Sequence, residues 1–327
     1  MSRGIGAARD RILNALLGVD LRANIRLLQS LPATVEDRAG RQQQEQRDAE
    51  RAEQLRQIQE TMLLRLGEME GVLRDHGMVM RAVRDDIGSL RLHLAAIRSS
   101  VEYAEVLADR RPLVTVRIAS YQNTEALITR AIASVQRQTY DHFEIVVVND
   151  GPNERTRSAI EDLNDPRIRY VEFSEMSVYP TDDHHRWMVA GSPGMNAGAA
   201  MARGRWIAPL DDDDEFAPDH LEKLLSLAWD EQVEVAYGAV TQVNVVNDTR
   251  SRIYSVPPRI SQFSFQGAIY MAQLDGGFRY DEQSWIVEEP GDWNLIRRMS
   301  AAGVRMAGTP DVVATMFQVP YTHKDVE

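Results

Sequence analysis

The chain has 327 residues, a formal net charge of -12 and no cysteine. Its length predicts one or two globular domains, and the absence of cysteine excludes disulfides, thiolate catalysis, Cys-ligated zinc and iron–sulfur clusters. Because no apolar run approaches the roughly 18 to 20 residues of a membrane span, and no secretory signal is recognisable, we expect a cytoplasmic protein without a transmembrane segment.

The negative charge is concentrated in the C-terminal two thirds of the chain. Residues 1–111 carry 18 basic and 17 acidic residues, which leaves 19 basic and 32 acidic residues for 112–327. Nucleic-acid binding depends on Lys and Arg contacts with phosphates. The acidic C-terminal part therefore argues against nucleic acid as a partner and suits a site that collects a metal ion.

Residues 1–35 are predicted to form a short helical segment. Its apolar stripe, with arginines interspersed, comprises Leu13, Leu17, Leu21, Ile25 and Leu28. Two interpretations stay open: a helix that packs on its own protein, or an amphipathic helix that makes weak contact with a membrane surface.

Residues 36–110 are predicted to form a long helix with a coiled-coil seam. After a four-residue irregularity near Met62, apolar side chains recur at alternating steps of three and four, which is the heptad pattern. The seam comprises Leu55, Ile58, Met62, Leu66, Met69, Leu73, His76, Met80, Val83, Ile87, Leu90, Leu94, Ile97, Val101 and Ala104. One helix cannot bury such a seam, so we expect a homo-oligomer through the coiled coil.

From residue 111 the periodicity changes to short runs rich in β-branched residues. Leu113–Ala119, Phe143–Val148 and Ile168–Phe173 are predicted strands, and helical stretches separate them. Alternating strands and helices predict a doubly wound α/β domain that binds nucleotides.

A run of four aspartates, Asp211–Asp214, follows a further predicted strand, and Pro218 is placed to open the next helix. The acids would lie at the carboxyl end of a strand, where open α/β sheets bind ligands. A divalent cation would relieve the repulsion among adjacent carboxylates. The plainer alternative is a solvated acidic turn.

Six motifs in order resemble family 2 glycosyltransferases of the GT-A fold. Leu113–Tyr121 resembles the opening strand of that family, Ala131–Tyr140 its first helix with the QTY end, and Phe143–Gly151 its EIIVVDDGS segment. Gly194–Gly204 resembles the ARNxG…ARGE segment, and Leu210–Asp214 stands at the DXD position. Gly276–Phe278 and Asp292–Leu295 resemble the GGFDE and EDWDL motifs. The resemblance covers about residues 112–318. It implies a Rossmann-like GT-A domain over 111–327, preceded by the α-helical coiled coil.

The resemblance implies an inverting, metal-dependent hexosyltransferase that uses a nucleoside-diphosphate sugar, with a UDP-sugar as the expected donor. The acceptor would be a hydroxyl of a polysaccharide, lipid-linked glycan, peptide or small molecule. Mn²⁺ or Mg²⁺ would be bound by Asp211 and Asp213, with His323 as a further ligand, and Asp292 would be the catalytic base. The residues expected to bind the nucleotide sugar are Ser120, Tyr121, Asn149, Asp150, Asn196, Asp211 and Asp212.

Several positions depart from the family pattern. Asn149 replaces an acid, Gly291 replaces a Glu, and Met195 replaces an Arg whose diphosphate contact would fall to Arg203 or Arg205. These changes keep open a catalytically inactive GT-A-fold module that binds a sugar nucleotide or glycan and is assembled by the coiled coil. A nucleotidyltransferase is disfavoured because no glycine-rich phosphate loop follows the first strand.

Plainer interpretations stand beside some of these roles. Asp292 could be only a helix N-cap, and Tyr121 could belong to the core. The polar loop 174–193, which contains His184 and His185, is expected to face solvent or the acceptor, and Trp285 could stack on a sugar or be buried.

Overall fold

A computed structural model of the chain describes residues 38–318. The segment 1–35 and His323 therefore lie outside the described residues. The chain divides into two compact units, Met1–Arg74 and Asp75–Glu327, each with its own internal contacts.

The first described element is helix α1, Arg38–Asp85, which is 48 residues long. It is rich in Arg, Gln, Glu and Ala, all favourable to helix. In the first unit, the seam side chains of Leu55, Ile58 and Met69 are exposed in the single chain. No helix within residues 38–318 is long and apolar enough to cross a membrane.

The structure shortens the predicted seam at its C-terminal end. Asp86 has a positive φ of 37° and separates α1 from α2, Ile87–Ser99, whose first turn it caps through Ser89 N at 3.3 Å. Ser100 separates α2 from α3, Val101–Ala108. The seam residues Leu90, Leu94 and Ile97 are buried in the core of the second unit. They pack on their own domain and are not available to a partner helix.

The second unit contains a mixed sheet and the helices that cover it. Its strands are β1 Val114–Ser120, β2 Phe143–Asn149, β3 Ile168–Glu172, β4 Trp206–Asp211, β5 Glu215–Phe216, β6 Val235–Asn244, β7 Thr249–Ile253, β8 Ala268–Met271 and β9 Met306–Gln318. Its further helices are α4 over residues 124–136, with a π-helical part Leu127–Ile132, then α5 Glu154–Asp162, α6 Asp183–Val189, α7 Ser192–Ala200, α8 His220–Glu231 and α9 Gly291–Ala302.

The sheet order is β3-β2-β1-β4-β8-β6-β9-β5, with β7 paired to β6. Strands β3, β2, β1 and β4 are parallel, and β1 lies between β2 and β4. The chain therefore reverses its direction of winding beside β1, and open α/β sheets bind ligands outside the carboxyl ends of strands at such a point. The α/β prediction is confirmed, and the three early strands lie within one residue of their predicted bounds.

The register brings the predicted site residues to one edge of the sheet. Ser120 at the end of β1 is paired with Asn149 at the end of β2, and Ala119 is paired with Asp211 at the end of β4. Helix α7 packs behind β1 and β2. Gly194 allows this close packing, because a Cβ there would lie 3.3 Å from Ala119 Cβ, closer than most Cβ contacts.

Candidate active site

The acidic run is a largely buried turn, and hydrogen bonds tie three of its four carboxylates to their surroundings. Asp212 accepts hydrogen bonds from Ser120 Oγ at 2.8 Å, Asn123 Nδ2 at 3.1 Å and Tyr121 N at 3.3 Å. Asp214 accepts one from Phe317 N at 2.9 Å. The predicted nucleotide residues Ser120 and Asp212 thus contact each other and fix the loop that follows β1.

The carboxyl groups of Asp211 and Asp213 both have raised pKa values. Burial, with the nearby carboxylates of Asp292 and Asp213, raises the pKa of Asp211 to about 7. Burial and the adjacent Asp212 raise the pKa of Asp213 to about 6. A divalent cation would stabilise both carboxylates in the ionised form. The plain alternative of a solvated acidic turn is not what the structure contains.

The oxygen ligands present suit a magnesium or manganese ion that shares its shell with a phosphate group. Within residues 38–318, no group of three or more His, Cys, Asp or Glu side chains is placed to hold a metal alone. Mg²⁺ is usually bound by one or two carboxylates together with substrate phosphates and water. Asp211 and Asp213 fit this pattern, and the third predicted ligand, His323, lies outside the described residues.

A cavity of about 510 Å³ opens beside the ends of β1 and β2 and is lined by Tyr121, Asn149, Asp150 and Asn153. Tyr121 is 42% exposed, so it belongs to this cavity and not to the core. Asn149 Nδ2 donates to Gly151 O at 2.9 Å. Its buried Oδ1 has no hydrogen-bond partner within residues 38–318, and it can accept one from a ligand.

Asp150 is held by the loop that follows β3. Its carboxylate accepts hydrogen bonds from Tyr179 Oη at 2.6 Å and Ser177 N at 2.8 Å. Tyr179 Oη in turn accepts one from Gly191 N at 3.3 Å. The predicted nucleoside contact of Asp150 therefore shares this carboxylate with a loop anchor, which was not evident from the sequence.

Asn196 lies apart from the acidic turn and holds the loop before α9. It accepts a hydrogen bond from Tyr280 N at 2.9 Å and donates to Tyr280 O at 3.0 Å and Glu282 Oε1 at 3.1 Å. These contacts use both ends of its amide. The structure gives Asn196 a supporting role for Tyr280, and the predicted contact of Asn196 with the nucleotide stays a prediction.

Asp292 stands in the first turn of α9 but does not cap it, because Pro290 occupies the N-cap position. Its Oδ1 accepts a hydrogen bond from Tyr280 Oη at 2.9 Å, and its Oδ2 accepts one from Phe265 N at 3.1 Å. Burial raises its pKa, against the lowering effect of these donors. A buried carboxyl with a raised pKa is typical of catalytic acids and bases.

A 3-10 turn, Phe265–Gly267, joins the two acidic centres. Phe265 N contacts Asp292, while Gln266 Nε2 donates to Asp211 Oδ2. At Gly291, where the resembled family has Glu, a Cβ would lie only 3.1 Å from the Tyr280 ring, so a side chain there would require that ring to shift. The turn itself was missed because no motif marks it.

The arginines proposed from sequence to replace a diphosphate contact are in the wrong place. Arg203 N donates to Glu144, and Arg205 pairs with Glu105 at 3.5 Å, both near the amino end of β4. Arg130 of α4 lies at the acidic turn instead, where its Nη1 donates to Asp213 O at 2.5 Å. Proximity in sequence to the Asp run favoured the wrong residues, because β4 separates them from it.

Comparison with known proteins gives one family. The model of glycosyl transferase family 2 matches residues 115–177 and 183–287, more than half of the chain. The chain is 34% identical over 151 residues to the succinoglycan biosynthesis protein ExoO of Rhizobium meliloti, which covers 45% of this chain and 38% of that protein.

Two further matches bear on the domain. The chain is 30% identical over 133 residues to the Escherichia coli UDP-Glc:alpha-D-GlcNAc-diphosphoundecaprenol beta-1,3-glucosyltransferase WfgD, over 40% of this chain and 47% of that protein. The matched segments thus span less than half of these relatives. The crystal structure of S. aureus TarS 1–349 in complex with UDP-GlcNAc shares the fold, with a TM-score of 0.50, 16% identity, and coverage of 64% of this chain and 60% of that one.

Proposed function

Because this chain belongs to glycosyl transferase family 2, we propose that it transfers a sugar from a nucleoside-diphosphate sugar to an acceptor hydroxyl. The observation that carries the proposal is the meeting of Asp211, Asp213 and Asp292 at one sheet edge, where burial and the carboxylates of Asp292 and Asp213 raise the pKa of Asp211. Such a cluster is expensive to maintain and is expected where charge develops during a reaction.

For the donor we propose a UDP-sugar with its nucleoside in the cavity beside Tyr121. The unpartnered Oδ1 of Asn149 would accept a hydrogen bond from an N–H of the base. A neutral amide serves this purpose, so the missing acid at this position does not exclude binding. Both TarS, by its UDP-GlcNAc complex, and WfgD, by its name, support a uridine nucleotide.

We propose that Asp211 and Asp213 bind Mn²⁺ or Mg²⁺ together with the diphosphate. When bound, the ion supplies positive charge that neutralises the leaving diphosphate. Arg130, whose guanidinium lies beside Asp213 and over the Phe317 ring at 3.9 Å, is placed to add to this charge.

The step proposed for Asp292 is proton removal. Its carboxylate takes the proton of the acceptor hydroxyl as the acceptor oxygen forms a bond to the anomeric carbon. The bond from that carbon to the diphosphate oxygen breaks, and UDP leaves with the electron pair. Attack opposite the leaving group inverts the anomeric centre.

For the acceptor we propose a sugar that stacks on aromatic rings next to α9. Trp187 is 54% exposed and stacks with His184 at 6.0 Å, and His185 lies 5.1 Å from the Trp285 ring. This surface adjoins Asp292, since the carbonyl of Met188 lies 3.3 Å from the Cβ position of Gly291. Aromatic rings with a polar rim are suited to bind a neutral, hydroxylated ligand.

We expect labelled Asp292→Asn protein to bind members of a glycan array. Because this variant transfers sugar slowly, it should not convert the bound acceptor to product and release it. Adding Trp187→Ala should weaken that binding about tenfold or more, the usual effect of removing a central Trp. Leu92→Ala, which trims an exposed apolar side chain on α2, should have no effect. Equal binding with and without Trp187 would refute the acceptor surface.

We propose that the remaining seam on α1 joins two or more chains. Exposed Leu55, Ile58 and Met69 would pack as knobs into holes of a partner helix. We expect light scattering to give a multiple of the chain mass for the full protein and the mass of one chain for Ile58→Glu/Met69→Glu. Gln59→Glu, off the seam, is the control. A wild-type monomer would contradict the oligomer.

The donor is tested by thermal unfolding with UDP, GDP, CDP and dTDP, each with and without Mn²⁺. We expect UDP with Mn²⁺ to stabilise the protein by about 2.7 kcal/mol at about 100 times its dissociation constant. Asn149→Ala should weaken this effect, because the base loses its acceptor. Stabilisation by none of the four nucleotides would contradict the transferase and leave an inactive module that binds a glycan as the alternative.

A further inference from the structure

The buried charge of Arg117 is not explained by the packing of the fold. Arg117 lies in the middle of β1, and only 1% of it is exposed. A charge inside an apolar strand destabilises a protein unless it is well paired. Arg117 Nε and Nη1 have no hydrogen-bond partner in the part of the chain that the structure describes. An aliphatic residue would fill the strand with less desolvation.

The third nitrogen of Arg117 leads to the proposed base. Nη2 donates to Tyr280 Oη at 3.0 Å, and the guanidinium lies 5.1 Å from the centroid of the Tyr280 ring. Because Tyr280 Oη accepts from Arg117, its own hydrogen is directed to Asp292 Oδ1 at 2.9 Å. Each group therefore donates to the next, the Arg117 guanidinium to the Tyr280 hydroxyl and that hydroxyl to the Asp292 carboxylate.

We propose that Arg117 and Tyr280 are positioning residues that orient the Asp292 carboxylate and keep it ionised for proton removal. The inference rests on the proposed function. With Tyr280 on Oδ1 and Phe265 N on Oδ2, the plane of the carboxylate is fixed. Each oxygen keeps a further lone pair, so one remains to accept the proton of the acceptor hydroxyl.

The direction of the hydrogen bonds from Arg117 through Tyr280 to Asp292 suits a residue that must stay ionised. A donor that is itself polarised by a cation makes a stronger hydrogen bond in a buried site. The groups that face Asp292 are Ser264 and Phe265 of the turn, Tyr280, Arg117 from β1 and the carboxyl of Asp211 from β4. Arg117 supplies the positive charge among them. Asn196 holds Tyr280 in place through both of its backbone groups.

The sharpest variant is Tyr280→Phe, which removes one oxygen and keeps the ring. We expect UDP release from a UDP-sugar to fall about tenfold near neutral pH, the effect of losing one hydrogen bond to a charged group. Loss of the donor raises the pKa of Asp292, so the acid limb of the rate profile moves to higher pH and the defect shrinks in alkali. Binding of UDP with Mn²⁺ should not change.

Tyr237→Phe is the matched control, because Tyr237 is also buried and donates only to the carbonyl of Ser255 at 3.0 Å. Arg117→Lys keeps the charge and should retain more activity than Arg117→Met. A defect of Tyr280→Phe that is equal at every pH, or no defect, would overturn the positioning role.

Two measurements separate this inference from the proposed function. If Asp292→Asn turns over at the wild-type rate, the proposed base is wrong. If Asp292→Asn is inactive but Tyr280→Phe leaves the pH profile unmoved, only the positioning role fails. Should the wild type release no UDP, a double-mutant cycle on unfolding decides: additive effects of Tyr280→Phe and Asp292→Asn would show that the two residues are not coupled.

Discussion

Replacing Asp292 with Asn is expected to slow sugar transfer by roughly 100- to 10,000-fold, the range that a general base contributes. The amide can still accept hydrogen bonds from Tyr280 and from Phe265 N, so the local structure should persist. It cannot take a proton at neutral pH. Release of UDP from a UDP-sugar measures the rate, and thermal shifts with UDP and Mn²⁺ measure binding, which should stay as in the wild type.

The control for Asp292→Asn is Asp281→Asn. Asp281 lies in the same loop as Tyr280 but pairs with Arg84 at 2.7 Å, so its loss should leave the transfer rate unchanged. Transfer at the wild-type rate in Asp292→Asn would remove this residue from the mechanism. Nucleotide binding without turnover in both wild type and variant would establish the alternative, a module that binds sugar nucleotides without catalysis.

Replacing both Asp211 and Asp213 with Asn is expected to abolish the stabilisation that Mn²⁺ gives to the UDP complex. Neutral amides are weak ligands for a hard cation. In EDTA the same variant should unfold at a higher temperature than the wild type at neutral pH, because two carboxylates that repel each other in a buried turn are gone. Opposite effects on stability and on ligand binding are expected when strain is kept for function.

The pH dependence has a definite sign. Because burial and the adjacent Asp212 raise the pKa of Asp213 to about 6, above about 3.9 for an unfolded chain, the folded state binds the extra proton. In EDTA the wild type should therefore lose stability as the pH rises from about 4 to about 6, and the double variant should lose less.

Asp219→Asn is the control for the acidic turn, since Asp219 pairs with Lys223 at 2.9 Å outside the site. It should retain the full Mn²⁺ effect. A double variant that still gains stability from Mn²⁺ with UDP would place the metal elsewhere or exclude it from nucleotide binding.

The sequence was sufficient to predict the early strands and the acidic turn because each depends on local pattern. Short, β-branched-rich runs such as Phe143–Val148 that end in turn residues favour buried strands over helices, and a sheet edge follows from their parallel order. The contacts of Asp292 could not be predicted, because Arg117 and Tyr280 are 163 residues apart and meet only in the folded chain. An arginine in an otherwise apolar strand was the one available signal.

At the C-terminal end of the predicted seam, the local pattern was present but indicated the wrong packing partner. Leu90, Leu94 and Ile97 continue the three-four spacing of α1, yet they belong to the domain core. A helix that packs on its own protein and one that packs on a partner need the same apolar stripe. The break lies at Asp86, and Asp is among the residues that adopt a left-handed conformation most readily, but no spacing rule locates it.

The burial of α2 and α3 determines at which position the N-terminal region could be exchanged for another without disrupting the second unit. Glu234, fully buried, pairs with Arg98 of α2 at 2.9 Å and accepts a hydrogen bond from Tyr103 of α3, so these helices are inseparable from the sheet. A recombination event that joined a different N-terminal region at residue 108 would leave an open core and would remove two of the partners of the buried Glu234, Arg98 and Tyr103. A joint upstream of Asp75 would exchange the first unit, which carries the proposed oligomer seam, and keep the second unit whole.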